Sequence, residues 1–227
     1  MGAAMRAPII FLATVMFSLI AAASGQPARS DHAGLKAWPA DGVPPEVAGL
    51  LREGREQFER GDFAAAKKTY EAALARVPDS AYVLSNLGVI HFRLGDYAAA
   101  VVALKKAVAA APDDGFSHRM LGSTYYFLQK TDEAVGELKT ALRIDPKDAT
   151  AHNYYGITAS GKGWPEIART ELEAAVALDP DYADAHFNLA VVLSIREPPD
   201  KENARSHYAR ARELHAERDE ALEKLFQ

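Results

Sequence analysis

Three places in the sequence carry side chains that could ligate, bind phosphate or attack. His118, His152 and His186 stand 34 residues apart, as a metal-holding ladder would. Gly161-Lys162-Gly163 suggests a phosphate loop, and serines, histidines and carboxylates are numerous enough to compose a triad. None passes a test of spacing. Packed helices lie about 8–10 Å apart and zinc needs each nitrogen at about 2.0–2.1 Å, so equivalent residues of successive repeats cannot share one ion. No HExxH pair occurs, and His207 with His215 does not share one helical face. The glycine-lysine stretch lacks the full glycine spacing and follows a helical pattern. No strand-to-helix elbow gathers a nucleophile with a base. The reading is non-enzymatic, with no catalytic residue, cofactor or metal; a hydrolase survives only as a triad assembled from distant residues.

The chain has 227 residues, 48% hydrophobic and 25% charged, which suits a folded domain or a short repeat array. It has no cysteine, which excludes disulfide scaffolds, thiolate zinc sites and thiol nucleophiles. A formal charge of −5 and a pI of about 5.8 leave no basic footprint for nucleic acid. Charge runs such as Lys67-Lys68, Lys105-Lys106 and Asp113-Asp114 mix both signs and read as solvated faces.

Residues 1–25 form a separate segment. Arg6 is their only charge, Ile9 to Ala23 is almost wholly apolar, and the small residues Ala21-Ala22-Ala23-Ser24-Gly25 follow. That order predicts a signal peptide cleaved after Ala23 or Gly25, and hence a periplasmic or secreted protein with no stable membrane insertion. The competing expectation is an uncleaved anchor, for which the apolar run is short. Residues 26–44, interrupted by Pro27, Pro39 and Pro44 and loosened by Gly34 and Gly42, read as a flexible tether. Trp38 is expected to dock on the first helix.

What must position any site is a repeat. Gly54, Gly88, Gly122 and Gly156 are 34 apart, as are Ala66, Ala100, Ala134 and Ala168. Pro78, Pro112, Pro146 and Pro180 keep the period, as does the bulky column Tyr70, Leu104, Leu138 and Leu172. Each unit reads as two helices: in the second, Ala81–Leu94 is periodic, Gly95-Asp96 turns, and Tyr97–Ala111 runs to a proline that stops it. A glycine inside a helix costs about 1 kcal/mol relative to alanine, so its recurrence implies close helix approach. The spacing predicts that each glycine faces the alanine column of its partner helix.

Leu84, Leu87-Gly88, Gly95-Asp96-Tyr97, Ala100, Leu104, Ala107 and Pro112 together resemble the tetratricopeptide repeat family. The resemblance implies an all-α fold, a right-handed superhelical α-solenoid of about five repeats: 47–80, 81–114, 115–148, 149–182 and 183–217, with a capping helix over 218–227. Repeat three replaces Gly-Asp with Gln129-Lys130, and Glu197-Pro198-Pro199-Asp200 lengthens the turn of repeat five by two residues. Leu222, Leu225 and Phe226 are expected to face inward in the cap. The ladder histidines fall in a column where the family packs a bulky aromatic.

Such arrays present an extended concave surface. By resemblance, the first helices line it with Tyr82, Ser85, Asn86, Val89 and Arg93 in repeat two, and Phe116, Arg119, Ser123 and Phe127 in repeat three. Thr150, Asn153 and Ile157 follow in repeat four, then Phe187, Asn188 and Val191 in repeat five. Aromatics among arginines and amides suit an extended peptide or a partner helix. The alternative is that several of them pack between repeats or against the tether; Asn188 could equally tie adjacent helices. The family's carboxylate clamp is not expected, because its positions hold Leu51, Arg55, Asn86, Phe116 and Met120 and only Asn86 agrees. The implied function is a non-catalytic interaction module binding a protein or peptide partner. A self-associating structural subunit is the alternative.

Overall fold

A computed structural model describes residues 34–37 and 42–226. The expected signal peptide, its cleavage sites and Trp38 lie outside the described residues. Eleven helices and no strand occur among the described residues, so the fold is all-α. Five hairpins follow one another: α1 Pro45–Glu59 with α2 Phe63–Arg76, α3 Ala81–Arg93 with α4 Tyr97–Ala110, and α5 Gly115–Phe127 with α6 Thr131–Ile144. Then come α7 Ala149–Gly161 with α8 Pro165–Leu178, α9 Ala183–Ile195 with α10 Lys201–Glu213, and the terminal α11 Glu220–Leu225. The helices group into two compact units, residues 30–155 and a second formed by the chain from 156 onward.

The turn inside each of the first two hairpins follows from two residues. Gly61, Gly95 and Gly163 end their helices at φ +78°, +75° and +72°, a left-handed conformation that glycine enters without steric cost. The next residue caps the second helix: Asp62 accepts the Ala65 amide at 3.0 Å and Asp96 accepts that of Ala99 at 3.1 Å. Repeat three lacks both devices. Gln129 holds the left-handed position at φ 58° and Lys130 makes no side-chain cap bond, yet the hairpin forms.

The two helices of a hairpin bury different amounts of surface. Second helices are amphipathic and bury a narrow stripe, Ala66-Tyr70-Ala73 in α2 and Ala134-Leu138-Ala141 in α6. The first helices α3, α5 and α9 are enclosed nearly all round: every residue from Tyr82 to Ile90, from Ser117 to Tyr126 and from Ala185 to Ser194 is buried. In the first unit, α3 packs on α2, α4 and α5, which accounts for this enclosure.

The repeated glycines do mark close approach, but against a different column from the one expected. A Cβ on Gly54 would stand 2.7 Å from the Tyr70 ring, one on Gly122 2.7 Å from Leu138 Cγ, and one on Gly156 2.6 Å from Leu172 Cγ. Gly88 meets Leu104 in the same way. The alanine column lies one turn earlier and contributes only the Ala168 carbonyl, 3.1 Å from the Gly156 position. Side chains on a helix lean toward its N-terminus, so the bulky residue one turn later covers the glycine.

At the C-terminus, Leu222 and Phe226 turn inward as expected, while Leu225 is 38% exposed and does not. Arg205 donates to the Phe226 carbonyl at 2.8 Å, and the Asp219 amide donates to the Tyr208 hydroxyl at 2.8 Å. No described helix is long and apolar enough to cross a membrane.

Candidate functional site

Residues 34–37 lie within the stretch expected to be a flexible tether. They form no helix or strand, yet polar side chains of three elements of the first unit hold Lys36. The Lys36 amide donates to Asn86 Oδ1 at 2.7 Å, and its carbonyl accepts from the Arg55 guanidinium at 2.7 Å. Its ammonium lies 2.8 Å from Asp114 Oδ2. Beside it, Leu35 packs against the apolar cluster that includes Val47, Leu51, Tyr82 and Leu87.

The receptor side is built rather than incidental. Asn86 is fully buried on α3, so its amide is held in place for a backbone partner. Arg55, on α1, also donates to the Tyr82 hydroxyl at 3.1 Å, which fixes the guanidinium. Asp114 immediately precedes α5, and Ser117 donates to it at 2.5 Å. Ser85 Oγ lies 2.5 Å from Ser117 Oγ and 2.7 Å from the Ala81 carbonyl, extending the chain of hydroxyls into α3. A lysine is thus met by a carboxylate that also accepts from the buried Ser117. A cleft of about 410 Å³ lined by Val43, Ala48, Arg52, Arg55, Glu56 and Glu59 shares Arg55 with the site.

The structure distributes the expected groove residues over several roles. Asn86 contacts a chain segment directly, Tyr82 and Ser85 do so through Arg55 and Ser117, and all three are buried. Val89, Ser123, Asn153, Ile157, Phe187 and Asn188 are buried too, as are Thr150 and Val191. Arg93 sets its guanidinium 5.0 Å above the Phe63 ring and 5.6 Å above Phe58, bracing the first hairpin. Phe127 stacks on Tyr97 at 5.2 Å and meets Phe92 edge-on at 5.1 Å. Arg119 pairs with Asp148 at 2.7 Å and covers Phe116, which is half-buried. The first helices α3, α5 and α9, which carry most of these residues, are enclosed. Arg55 and Asp114 were not among the expected site residues; Arg55 entered only as a mismatch to the clamp.

The histidine ladder has a specific structural use. Nε2 of His118, His152 and His186 lies 3.0, 3.1 and 3.2 Å from the carbonyls of Pro112, Pro146 and Pro180, six residues earlier in each case. Each histidine thereby ties its helix to the turn that precedes it. His118 also reaches Glu137 at 2.6 Å through Nδ1. In the second unit, His186 Nδ1 meets His207 Nδ1 at 2.9 Å, a pair that the 34-residue period could not reveal. With Nε2–H donating to Pro180, the His186 Nδ1 is the acceptor and His207 the donor, so the His186 ring is neutral.

Burial pushes the pKa of both rings below 6.5; Arg210 opposes protonation of His186, and His186 opposes that of His207. Asp179 and Asp181 near His186, and Glu173 and Asp200 near His207, favour the charged form but do not prevail. Lowered folded values mean that the unfolded chain binds more protons once the pH falls below about 6.5, so stability rises with pH through that window. The denaturation midpoint is expected to fall from pH 7.5 to pH 5.5, and to fall less in His207→Phe. An equal fall in both chains would reject the pair as its source; His91, also lowered by burial, supplies a background common to both.

Helix hairpins of one length, recurring along the chain with polar side chains on their first helices, define a repeat protein of the interaction-module class. Tetratricopeptide repeat models match residues 51–115 and 156–218, and a second such model matches 92–154. The chain belongs to the tetratricopeptide repeat family. Among solved structures, MamA (residues 41 to the end) from Desulfovibrio magneticus RS-1 is similar at 21% identity and a TM-score of 0.65. That alignment covers 76% of this chain and 96% of the other. TTC0263, a thermophilic TPR protein of Thermus thermophilus, is 25% identical with a TM-score of 0.63, covering 79% and 96%. YrrB, described as a TPR protein with an unusual peptide-binding site, is 22% identical with a TM-score of 0.59, covering 78% and 89%. No curated protein matches the chain by sequence.

Proposed function

We propose that the protein is a non-catalytic binding module that holds a non-helical peptide segment of a partner against the first helices of residues 45–127. The observation that carries this reading is the pair of bonds from Asn86 and Arg55 to one backbone amide and one backbone carbonyl. Side chains that satisfy both backbone polar groups of one residue recognise chain rather than sequence, which is what a peptide receptor needs. The description of YrrB as peptide-binding agrees with this reading, as does the family's character as interaction modules.

Selection of a random 12-residue peptide library on the immobilised full chain is expected to enrich binders that depend on this site. A hydrogen bond to a charged group is worth about 1.5–3 kcal/mol, so Arg55→Ala should weaken them by about 10- to 100-fold. Asn86→Ala should weaken them by about tenfold. Peptides that bind the double variant undiminished, at unchanged helicity, would place the function elsewhere.

We further propose that the protein works outside the cytoplasm, on the strength of the basic, apolar and small-residue order of residues 1–25. Removal of Arg6 takes the net charge from −5 to −6. N-terminal sequencing of exported protein should begin at Ser24 or Gln26; a start at Met1 or Gly2 would instead indicate an anchor.

A further inference from the structure

We propose that residues 34–37 are a built-in occupant of the site, and that the partner it fits is a non-helical segment carrying the same Leu-Lys pair, which binds by taking their place. This rests on the peptide-binding reading above and adds to it the identity of the ligand and the state of the site at rest.

Four observations carry it. First, the site reads side chains as well as backbone: Lys36 meets Asp114 at 2.8 Å and Leu35 meets the apolar cluster of the first two hairpins. Second, the lysine receptor is prepared in advance, because the fully buried Ser117 donates to the carboxylate and itself rests against the buried Ser85. Third, the bonds that hold Lys36 come from side chains of the receptor. The segment can therefore leave without breaking a helix hydrogen bond, as a ligand does. Fourth, Asn86 Nδ2 is buried with no partner among the described residues, which leaves one fixed donor for the carbonyl of a different or longer segment.

The consequence is competition. A segment joined to its receptor by a short stretch of chain acts at an effective concentration of about a millimolar. An incoming segment sees only the fraction of sites from which the resident has departed, and its apparent affinity drops by that fraction. Release of residues 34–37 is thus the step that sets the threshold for partner binding.

The probe is a fluorescein-labelled peptide of residues 30–41, titrated by anisotropy against the full chain and against the Leu35→Ala/Lys36→Ala chain. The variant should bind it about tenfold tighter or more than the parent chain. Adding Asn86→Ala to the variant should weaken binding by about tenfold, and K36E in the peptide should weaken it by a similar factor. Equal affinity for parent and variant, or indifference to K36E, overturns the proposal. If library-selected peptides still need Asn86 but bind parent and variant alike, the built-in occupant falls while the peptide-binding reading stands. If neither the labelled peptide nor any library peptide binds either chain, both readings fall.

Discussion

Gly88→Ala is expected to destabilise the protein by about 2 kcal/mol, although alanine is the better helix former. The exchange gains about 1 kcal/mol of helix propensity in α3. Against this, the added Cβ would overlap the Cγ of Leu104 and stand 2.6 Å from its Cδ2 and 3.2 Å from its Cδ1. Leu104 is fully buried, and the branch carbon itself obstructs, so rotating a methyl group away does not relieve the clash. Overpacking of this kind costs about 1–3 kcal/mol, and this site belongs near the upper end. The control is Gly136, on the exposed side of α6, where a Cβ would meet nothing within 4 Å. Gly136→Ala should stabilise by up to about 1 kcal/mol. Denaturant midpoints of the two variants must therefore move in opposite directions. A Gly88→Ala protein as stable as its parent would remove close helix approach as the reason for the glycine column.

Arg119→Ala should cost about 3 kcal/mol. The Arg119 Nε lies 2.7 Å from Asp148 Oδ2, with the two side chains only 11% and 17% exposed. The guanidinium carbon sits 4.9 Å from the centre of the Phe116 ring. Asp148 uses its other oxygen to accept the Ala151 amide at 2.9 Å, capping α7. Removing the cation leaves this carboxylate without its charge partner in a largely water-free setting, which is the costly way to break such a pair. Replacing both partners, Arg119→Met with Asp148→Asn, keeps the bulk and the cap while removing both charges, and should recover most of the loss. A double-mutant cycle by chemical denaturation measures this coupling. A loss below about 1 kcal/mol for Arg119→Ala, or a double variant no better than the sum of the singles, would mean the pair is solvated and ornamental.

What the sequence disclosed and what it concealed divide along a physical line. The 34-residue period, the hairpin turn at Gly95, and the stop after each hairpin follow from backbone conformation and local sterics, which act within a few residues. The glycine column was legible as close packing, but its partner was misplaced by one turn, because the lean of side chains on a helix does not enter a count of intervals. The site was legible only at Asn86. Lys36, Arg55 and Asp114 meet across separations of 19 residues or more, and no periodicity connects a segment outside the repeats to residues within them. Residues placed on the groove by column number, such as Val89 and Ser123, proved to be enclosed, since column number fixes a direction on the helix and not what stands in that direction. The His186–His207 contact escaped for the related reason that 21 is no multiple of the repeat.

The bond from each ladder histidine to a proline carbonyl six residues upstream works as a ruler laid along one particular stretch of every repeat. An inserted or deleted residue between Pro112 and His118, or at either counterpart, would carry the imidazole off its acceptor, so that stretch is intolerant of drift in length. Between the helices of a hairpin no such gauge operates. The chain's one lengthened turn, 196–200, lies there, and the interval from Pro180 to His186 beside it is unaltered. Engineers seeking to graft a loop into this array have their permitted address in the hairpin turns.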